Sequence, residues 1–203
     1  MNSRFAQIAF TAAVKRLQTL DGSRASYARG EAGGILTDPL GAGEAAFIGE
    51  RDSFHMATVS ETGWPYVQHR GGPKGFLKVL DAHTLAFADF QGNRQHVSEG
   101  NLAGDDRVAL ILMDYANRRR LKVLGRARVV DAQEDPGLVQ SLADPGYRAK
   151  VERAVVIRVE AFDWNCPQHI TPRFSETELE PVVEPLRARI RELEEQLRFA
   201  SSV

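Results

Sequence analysis

The chain has 203 residues, of which 43% are hydrophobic and 26% are charged, so it can bury a sizeable core and is not generally disordered. Its formal net charge of −1 argues against a protein whose main partner is nucleic acid or an anionic membrane surface. The single cysteine, Cys166, excludes an internal disulfide framework, and without a signal-like or membrane-spanning apolar run we expect a cytoplasmic protein.

Residues 1–43 are predicted to form a helix followed by a glycine-rich loop. Apolar residues recur at three- and four-residue spacings over residues 5–20, which is typical of a helix, and Ser3 is its candidate cap. Residues 28–43 are rich in glycine and contain an Asp-Pro step, so they are interpreted as a loop. A short helix over residues 44–51 then leads into the next part of the chain.

Residues 44–163 are predicted to be a β-rich domain with few long helices. Runs of β-branched and aromatic residues predict strands over residues 53–59, 64–70, 76–80, 84–90, 108–115, 121–130 and 154–162. Helices are predicted over residues 93–101, with Asn93 as the cap, and around residues 136–142. Six or seven closely spaced strands indicate an antiparallel β-barrel rather than a parallel doubly wound sheet, in an α+β protein that is mainly β with flanking helices.

Residues 164–203 are predicted to be a proline-rich segment followed by an amphipathic helix. Leu186, Ile190, Leu193 and Leu197 step by four, three and four residues, which is the spacing of a coiled-coil seam. We expect this helix to pack on the barrel or on a second subunit. A single amphipathic helix that covers its own core fits the pattern equally well.

Basic residues and glycines gather around the second strand and the predicted helix 93–101. Arg94 falls in the first turn of that helix, where free N–H groups and the helix dipole favour an anion. Arg70 and Lys78 on neighbouring strands would add charge, and the loop 71–75 supplies backbone freedom. The alternative is a set of solvated charges beside a long hairpin connection. Together the residues favour a phosphorylated, nucleotide-like cofactor.

Other kinds of site are not supported. The glycine-rich loop 71–75 has neither the Walker pattern nor the setting of a Rossmann fingerprint, so ATP hydrolysis and ordinary dinucleotide binding are set aside. The five histidines show no metal-like pairing, and no metal site is predicted. Three arginines at 118–120 are interpreted as a solvated turn rather than a nucleic-acid site, and Cys166 as structural or incidental.

A series of short motifs follows in a fixed order along the domain. They are Gly63-x-Pro65, Phe76-Leu77-x-x-Leu80-Asp81, Leu85-x-Phe87-Ala88-Asp89, Asn93-Arg94, Val108-Ala109-Leu110 and Lys122-Val123-Leu124-Gly125-Arg126-Ala127. This order and spacing, over residues 44–162, resembles the pyridoxamine 5′-phosphate oxidase-like family of FMN-binding split barrels.

The resemblance implies a homodimer that holds FMN at the subunit interface and acts as an oxidoreductase on a small organic substrate. It implies that Arg94 and Gln95 contact the phosphate and that Arg120 faces the flavin ring. The full set of candidate cofactor residues is Gln68, His69, Arg70, Lys78, Asp89, Asn93, Arg94, Gln95, Arg120, Trp164, Gln168 and His169. The alternative is a non-catalytic protein that binds or senses flavin, haem or a deazaflavin on the same fold. A scaffold module built on the tail helix would leave the basic strand edges without a use.

The chain departs from the true oxidase at two places. Extra residues around the loop 71–75 separate the second strand from the third, and the oxidase's C-terminal substrate signature is replaced by residues 163–174. The resemblance therefore points to a flavin but not to pyridoxamine phosphate as the substrate. Residues 164–173 either close over a partner's flavin or form a proline-stiffened linker in which Trp164 anchors the tail helix.

Overall fold

The computed structural model describes residues 3–31, 37–164 and 166–200. The chain divides into two compact units: Met1–Asp114 with Arg120–Cys166, and Tyr115–Arg119 with Pro167–Val203. The predicted boundaries at residues 43 and 163 stay predictions, and residues 32–36 of the predicted glycine-rich loop lie outside the described residues. Among the described residues, no helix combines the length and apolarity that crossing a bilayer requires.

Three short helices open the chain: α1 (Arg4–Ala9), α2 (Ala12–Leu20) and α3 (Arg24–Ala28). The prediction of one continuous helix over residues 5–20 is therefore wrong, because two helices, α1 and α2, cover this region. The hydroxyl of Thr11 accepts a hydrogen bond from the N–H of Val14 (3.4 Å), and this cap starts a second helix. A threonine prefers such a capping position to a helix interior, which explains the break.

Asp38 caps the first helix from a distant part of the sequence. Its carboxylate oxygens accept the N–H groups of Arg4 (2.9 Å) and Phe5 (3.2 Å). Ser3 lies at the N-cap position, but its side chain makes no capping bond and instead donates to Asp38 (3.4 Å). Asp38 also accepts the N–H of Phe162 (3.4 Å), so one buried carboxylate ties the first helix to the last strand.

The described residues form one seven-stranded antiparallel sheet: β1 (Ser53–Val59), β2 (Pro65–Gly71), β3 (Lys78–Asp81), β4 (Thr84–Phe90), β5 (Arg107–Asp114), β6 (Arg119–Asp131) and β7 (Val151–Trp164). The strand order across the sheet is β2-β1-β5-β6-β7-β4-β3. The further helices are α4 (Ala42–Gly49), α5 (Val97–Gly104), α6 (Pro136–Leu142) and α7 (Glu176–Ala200). The predicted fold class, a mainly β α+β protein with a C-terminal helix, is confirmed.

An aromatic cluster holds the strands that flank the candidate site. Phe54 and Met56 alternate with less buried residues along β1, as expected of a strand with one face in the core. The ring of Phe54 stacks on Phe76 with centroids 5.5 Å apart and meets Phe87 of β4 edge-on at 5.3 Å. Each fully buried ring stabilises the fold by roughly 1.5–3 kcal/mol, so this cluster fixes β1 against β4.

The glycine-rich loop after β2 serves close packing. A Cβ atom at Gly72 would lie 2.7 Å from the ring of Phe76, and one at Gly75 would lie 2.9 Å from the carbonyl of Gly49. Gly75 also has φ +76°, a conformation that side chains disfavour. The sequence favoured these glycines as a way to bring backbone close to a cofactor, whereas the structure places them against the core.

The register between β4 and β7 sets two charged residues opposite each other. Asp89, near the end of β4, pairs with Arg153, near the start of β7. At the other end of the strand order, β1 pairs with β2 so that Phe54 lies opposite Arg70. Asp89 contacts both Arg70 and Arg153, so two arginines and a carboxylate from β2, β4 and β7 meet at one place.

Candidate functional site

The candidate site is a pocket in the first unit, between β2, the end of β4, the start of β7 and the N-terminal end of α5. It is lined by Tyr66, Gln68, Arg70, Asp89, Phe90, Gly92, Asn93, Arg94, Gln95, His96, Val97, Ser98, Glu99, Glu152 and Arg153. The predicted cofactor residues that the structure brings together here are Gln68, Arg70, Asp89, Asn93, Arg94 and Gln95.

Strand β2 presents alternate side chains to the pocket. Tyr66, Gln68 and Arg70 line it, because successive side chains of a strand point to opposite faces. His69 therefore lies on the other face, where it is exposed and its ring is 5.4 Å from that of His55. The prediction placed Gln68, His69 and Arg70 in one group, but the structure separates His69 from the other two.

A chain of ion pairs runs along the floor of the pocket. Asp89 accepts hydrogen bonds from Arg70 (3.0 Å) and from Arg153 (3.1 Å), and Arg153 also donates to Glu99 (2.6 Å). Burial alone would lower the pKa of Arg153, but the charges of Glu99 and Asp89 raise it above its usual value. The two arginines are thus held in fixed positions by carboxylates.

Both of these arginines keep an unused donor. Within the described residues, the buried Nε atoms of Arg70 and Arg153 have no hydrogen-bond partner. An unsatisfied buried donor costs about 1–3 kcal/mol, which native proteins tolerate mainly where a ligand or a role requires it. The pocket therefore contains two N–H donors that a ligand with acceptor atoms could satisfy.

The loop before α5 departs from the prediction. A helix was predicted from Asn93, with Arg94 in its first turn, but α5 begins at Val97. The reason is local: the side chain of Asn93 accepts the N–H of Gln95 (3.2 Å) and so forms a turn that competes with helix formation. Arg94 and His96 both adopt left-handed conformations, with φ of 59° and 53°.

Arg94 is consequently a loop residue on the rim of the pocket. Its side chain is 66% exposed, and the carboxylate nearest to it among the described residues is that of Glu152, at 4.0 Å. It is the most accessible of the pocket's arginines, since the side chains of Arg70 and Arg153 are 20% and 15% exposed.

Helix α5 is anchored to the sheet by two polar contacts. The hydroxyl of Ser98 donates to Gln68 (2.9 Å), and the amide of Asn101 donates to Thr58 (2.9 Å). In the first turn, Glu99 contacts His96 (2.6 Å) as well as Arg153, so the helix N-terminus already has one carboxylate nearby. The contact of Ser98 with Gln68 places the N-terminal end of α5 beside β2.

Sequence reasoning missed four of the charged and polar residues of the pocket, namely Ser98, Glu99, Glu152 and Arg153. The opposite charges of Asp89 and Arg153 were the available signal, because such pairs stabilise neighbouring antiparallel strands. That signal becomes usable only when the register between β4 and β7 is known, since the two residues are 64 positions apart.

Besides His69, three predicted residues of the first unit do not line the pocket. Lys78 lies exposed on β3, at the edge of the sheet. Arg120 is half-buried near the start of β6, and its buried Nε has no hydrogen-bond partner within the described residues. Trp164, at the end of β7, meets the ring of Phe47 edge-on at 4.8 Å and donates its indole N–H to Glu44 (2.7 Å).

Two predicted residues belong to the second unit. Gln168 and His169 are exposed, and His169 has a left-handed backbone with φ of 62°. In the same unit, the guanidinium of Arg173 lies 4.9 Å from the ring centre of Tyr115. Among all described residues, no group of three histidine, cysteine or acidic side chains is arranged to hold a metal ion.

Several solved structures are similar to this chain. HupZ from Group A Streptococcus is 14% identical, and the match covers 66% of this chain and 100% of that one with a TM-score of 0.51. An FMN-binding protein from Syntrophomonas wolfei is 14% identical over 73% of this chain and 97% of that one, with a TM-score of 0.46. An F420 reductase is 22% identical over 61% of this chain and 98% of that one, with a TM-score of 0.44. At this level of identity, the likeness to HupZ shows a shared fold.

A search of curated proteins finds no match to the chain. The comparison with protein families is more specific. The profile of the family described as pyridoxamine 5′-phosphate oxidase matches residues 43–164, which include all seven strands and the whole pocket. Because this match covers more than half of the sequence, the chain belongs to the pyridoxamine 5′-phosphate oxidase family.

Proposed function

We propose that this chain binds FMN through the pocket and is an oxidoreductase that acts on a small organic molecule. Its family binds flavins. The observation that carries the proposal is the gathering of Arg70, Arg94 and Arg153 around one pocket within the matched region. A bound flavin supplies hydride-transfer chemistry, and the residues of the chain supply binding and position.

The charge of the pocket fits a phosphate group at its rim. Arg70 and Arg153 are already paired with Asp89, and Arg153 also with Glu99, so their net charge is largely balanced. Arg94 is the arginine whose charge remains available, and arginine matches the geometry of phosphate oxygens well. We therefore assign the phosphate contact mainly to Arg94, with Arg70 in support.

The backbone beside Arg94 supports the same assignment. A left-handed backbone is uncommon for residues other than glycine. Arg94 and His96 adopt this conformation, at a cost of about 1–2 kcal/mol each, although neither is glycine. Strain of this kind is concentrated at ligand sites.

We also propose that the protein is a cytoplasmic homodimer with FMN at the subunit interface. Members of the family are commonly dimeric. In such a dimer, each copy can contribute residues to the flavin of its partner. The predicted residues outside the pocket that we propose for the ring or the substrate are His69, Lys78, Arg120, Trp164, Gln168 and His169.

The first test is the identity of the cofactor. We expect the purified protein to be yellow and to release FMN, identified by mass, when it is denatured by heat. A colourless protein that also fails to take up added FMN would contradict the proposal. If the protein releases haem or a deazaflavin instead, that group takes the place of FMN as the assigned cofactor.

The second test separates an enzyme from a binding protein. We expect NADH or NADPH to reduce the bound flavin, and an added acceptor to reoxidise it, faster than occurs with free FMN under the same conditions. If NADH and NADPH reduce the bound FMN no faster than they reduce free FMN, the assignment as an oxidoreductase is contradicted. That result would leave a non-catalytic flavin-binding protein, and the cofactor assignment would stand.

A further inference from the structure

Helix α7 carries an apolar stripe that lies outside the matched family region, which ends at residue 164. No residue of this helix is buried. Large apolar side chains recur along it at alternating spacings of four and three residues, and they are Leu179, Val183, Leu186, Ile190, Leu193 and Leu197. Except for the half-buried Val183, these side chains are 41–67% exposed.

We propose that α7 pairs with α7 of a second copy of this chain as a parallel, in-register, two-stranded coiled coil. The spacing places Leu179, Leu186 and Leu193 at the d positions of successive heptads. The a positions are occupied by Val183, Ile190 and Leu197. Leucine at d with β-branched residues at a favours two parallel strands, and Val183 and Ile190 provide this combination in two of the three a positions. The inference does not depend on the proposed flavin site.

The two prolines of the helix fit this pairing. Pro181 and Pro185 occupy f and c positions of the same heptads, on the face turned away from the seam. Neither proline therefore occupies a seam position, although each removes one backbone hydrogen bond of the helix. The ion pair between Glu184 and Arg191 (2.8 Å) joins two b positions, so it also lies outside the seam.

Charges beside the seam match in the proposed register. In a parallel pair, a residue at g faces the residue five positions later, at e, on the partner helix. Arg189 occupies a g position and Glu194 the following e position. Two symmetry-related pairs of opposite charge result, and they set both the orientation and the register. Within its own helix Arg189 contacts Glu192 (2.5 Å), at a c position.

Disulfide trapping in the full chain tests the proposal. In a Cys166→Ser background, which removes the single natural cysteine, we would compare Leu186→Cys and Leu193→Cys under mild oxidation. Both seam variants should form disulfide-linked dimers. The matched controls are Ala188→Cys and Glu195→Cys, two residues further on at f positions, and they should cross-link several-fold less.

Three results would overturn the parallel coil. Equal cross-linking of seam and control variants would mean random collision, and no cross-linking at Leu186 and Leu193 would mean that the helices do not pair. Cross-linking at one of the two seam positions alone would indicate antiparallel helices.

A charge reversal tests the register. Arg189→Glu should lower the cross-linking of Leu193→Cys several-fold, and the further change Glu194→Arg should restore it. The restoration separates the contact between helices from the contact with Glu192, because the double variant does not rebuild the latter. Failure to restore cross-linking would overturn the proposed register.

Discussion

At the scale of single residues, the proposed phosphate contact depends mainly on Arg94. The other two arginines of the pocket are neutralised by Asp89 and Glu99, whereas Arg94 is exposed and has one carboxylate near it at 4.0 Å. Its contribution is measurable because the chain contains a natural control. Arg118 is also an exposed arginine in a turn, with φ of 54° against 59° for Arg94.

We expect Arg94→Ala to weaken FMN binding about tenfold or more, and Arg118→Ala to leave it unchanged. A hydrogen bond to a charged group contributes about 1.5–3 kcal/mol, and each 1.4 kcal/mol is about a factor of ten. Both changes remove one positive charge and place alanine in a left-handed conformation, so strain and net charge are matched. Titration of flavin fluorescence gives the two dissociation constants. Equal constants would remove Arg94 from the phosphate site.

At the scale of elements, the contact between α4 and β7 depends on a hydrogen bond with a charged acceptor. Glu44 accepts the indole N–H of Trp164 (2.7 Å) and the backbone N–H of Gly41 (2.9 Å). Burial raises the pKa of Glu44, but these hydrogen bonds outweigh it, and the pKa lies below its usual value of 4.5. Folding lowers the pKa of this carboxyl group, so its ionised form stabilises the protein fully when the pH is above the unfolded-state pKa. The stabilisation is lost as the pH falls through the lower pKa of the folded state.

Trp164→Phe should lower the free energy of unfolding by about 1–2 kcal/mol at neutral pH, because it keeps an aromatic ring but removes the donor. The difference from the unmodified protein should shrink as the pH falls below about 4.5. Urea unfolding followed by circular dichroism, over a range of pH, measures both effects. Trp64→Phe is the control, since Trp64 is 76% exposed. The same loss in both variants, or a loss that does not depend on pH, would contradict this account.

At the scale of the whole molecule, the sequence predicted the kinds of element better than their relations in space. Runs of β-branched and aromatic residues identified the strands, because such side chains suit a half-buried pleated surface, and the alternating burial of Phe54 and Met56 in β1 agrees with this. The start of α5 was misplaced because Asn93 is equally suited to capping a helix and to forming a local turn. The pairing of Asp89 with Arg153 was out of reach, since sequence alone does not give the register of distant strands.

A ligand that binds only the folded protein raises the stability of the whole molecule. If the pocket binds the phosphate of FMN, a saturating excess of about 100 times the dissociation constant should stabilise the protein by about 2.7 kcal/mol. For a chain of this size, that corresponds to a rise in melting temperature of roughly 5–11 °C. Riboflavin, which lacks the phosphate, should raise it much less at the same concentration. Equal shifts with both flavins, in a thermal melt, would mean that the arginine pocket is not where the phosphate binds.

The ion pair between Asp89 and Arg153 has a consequence for protein synthesis. The two residues are 64 positions apart, and Arg153 lies near the start of the last strand of the sheet. A nascent chain on the ribosome therefore exposes Arg70 and Asp89 well before the second arginine has emerged. The floor of the pocket is completed only when β7 joins β4, so the proposed cofactor can be captured only after almost the entire domain has been translated.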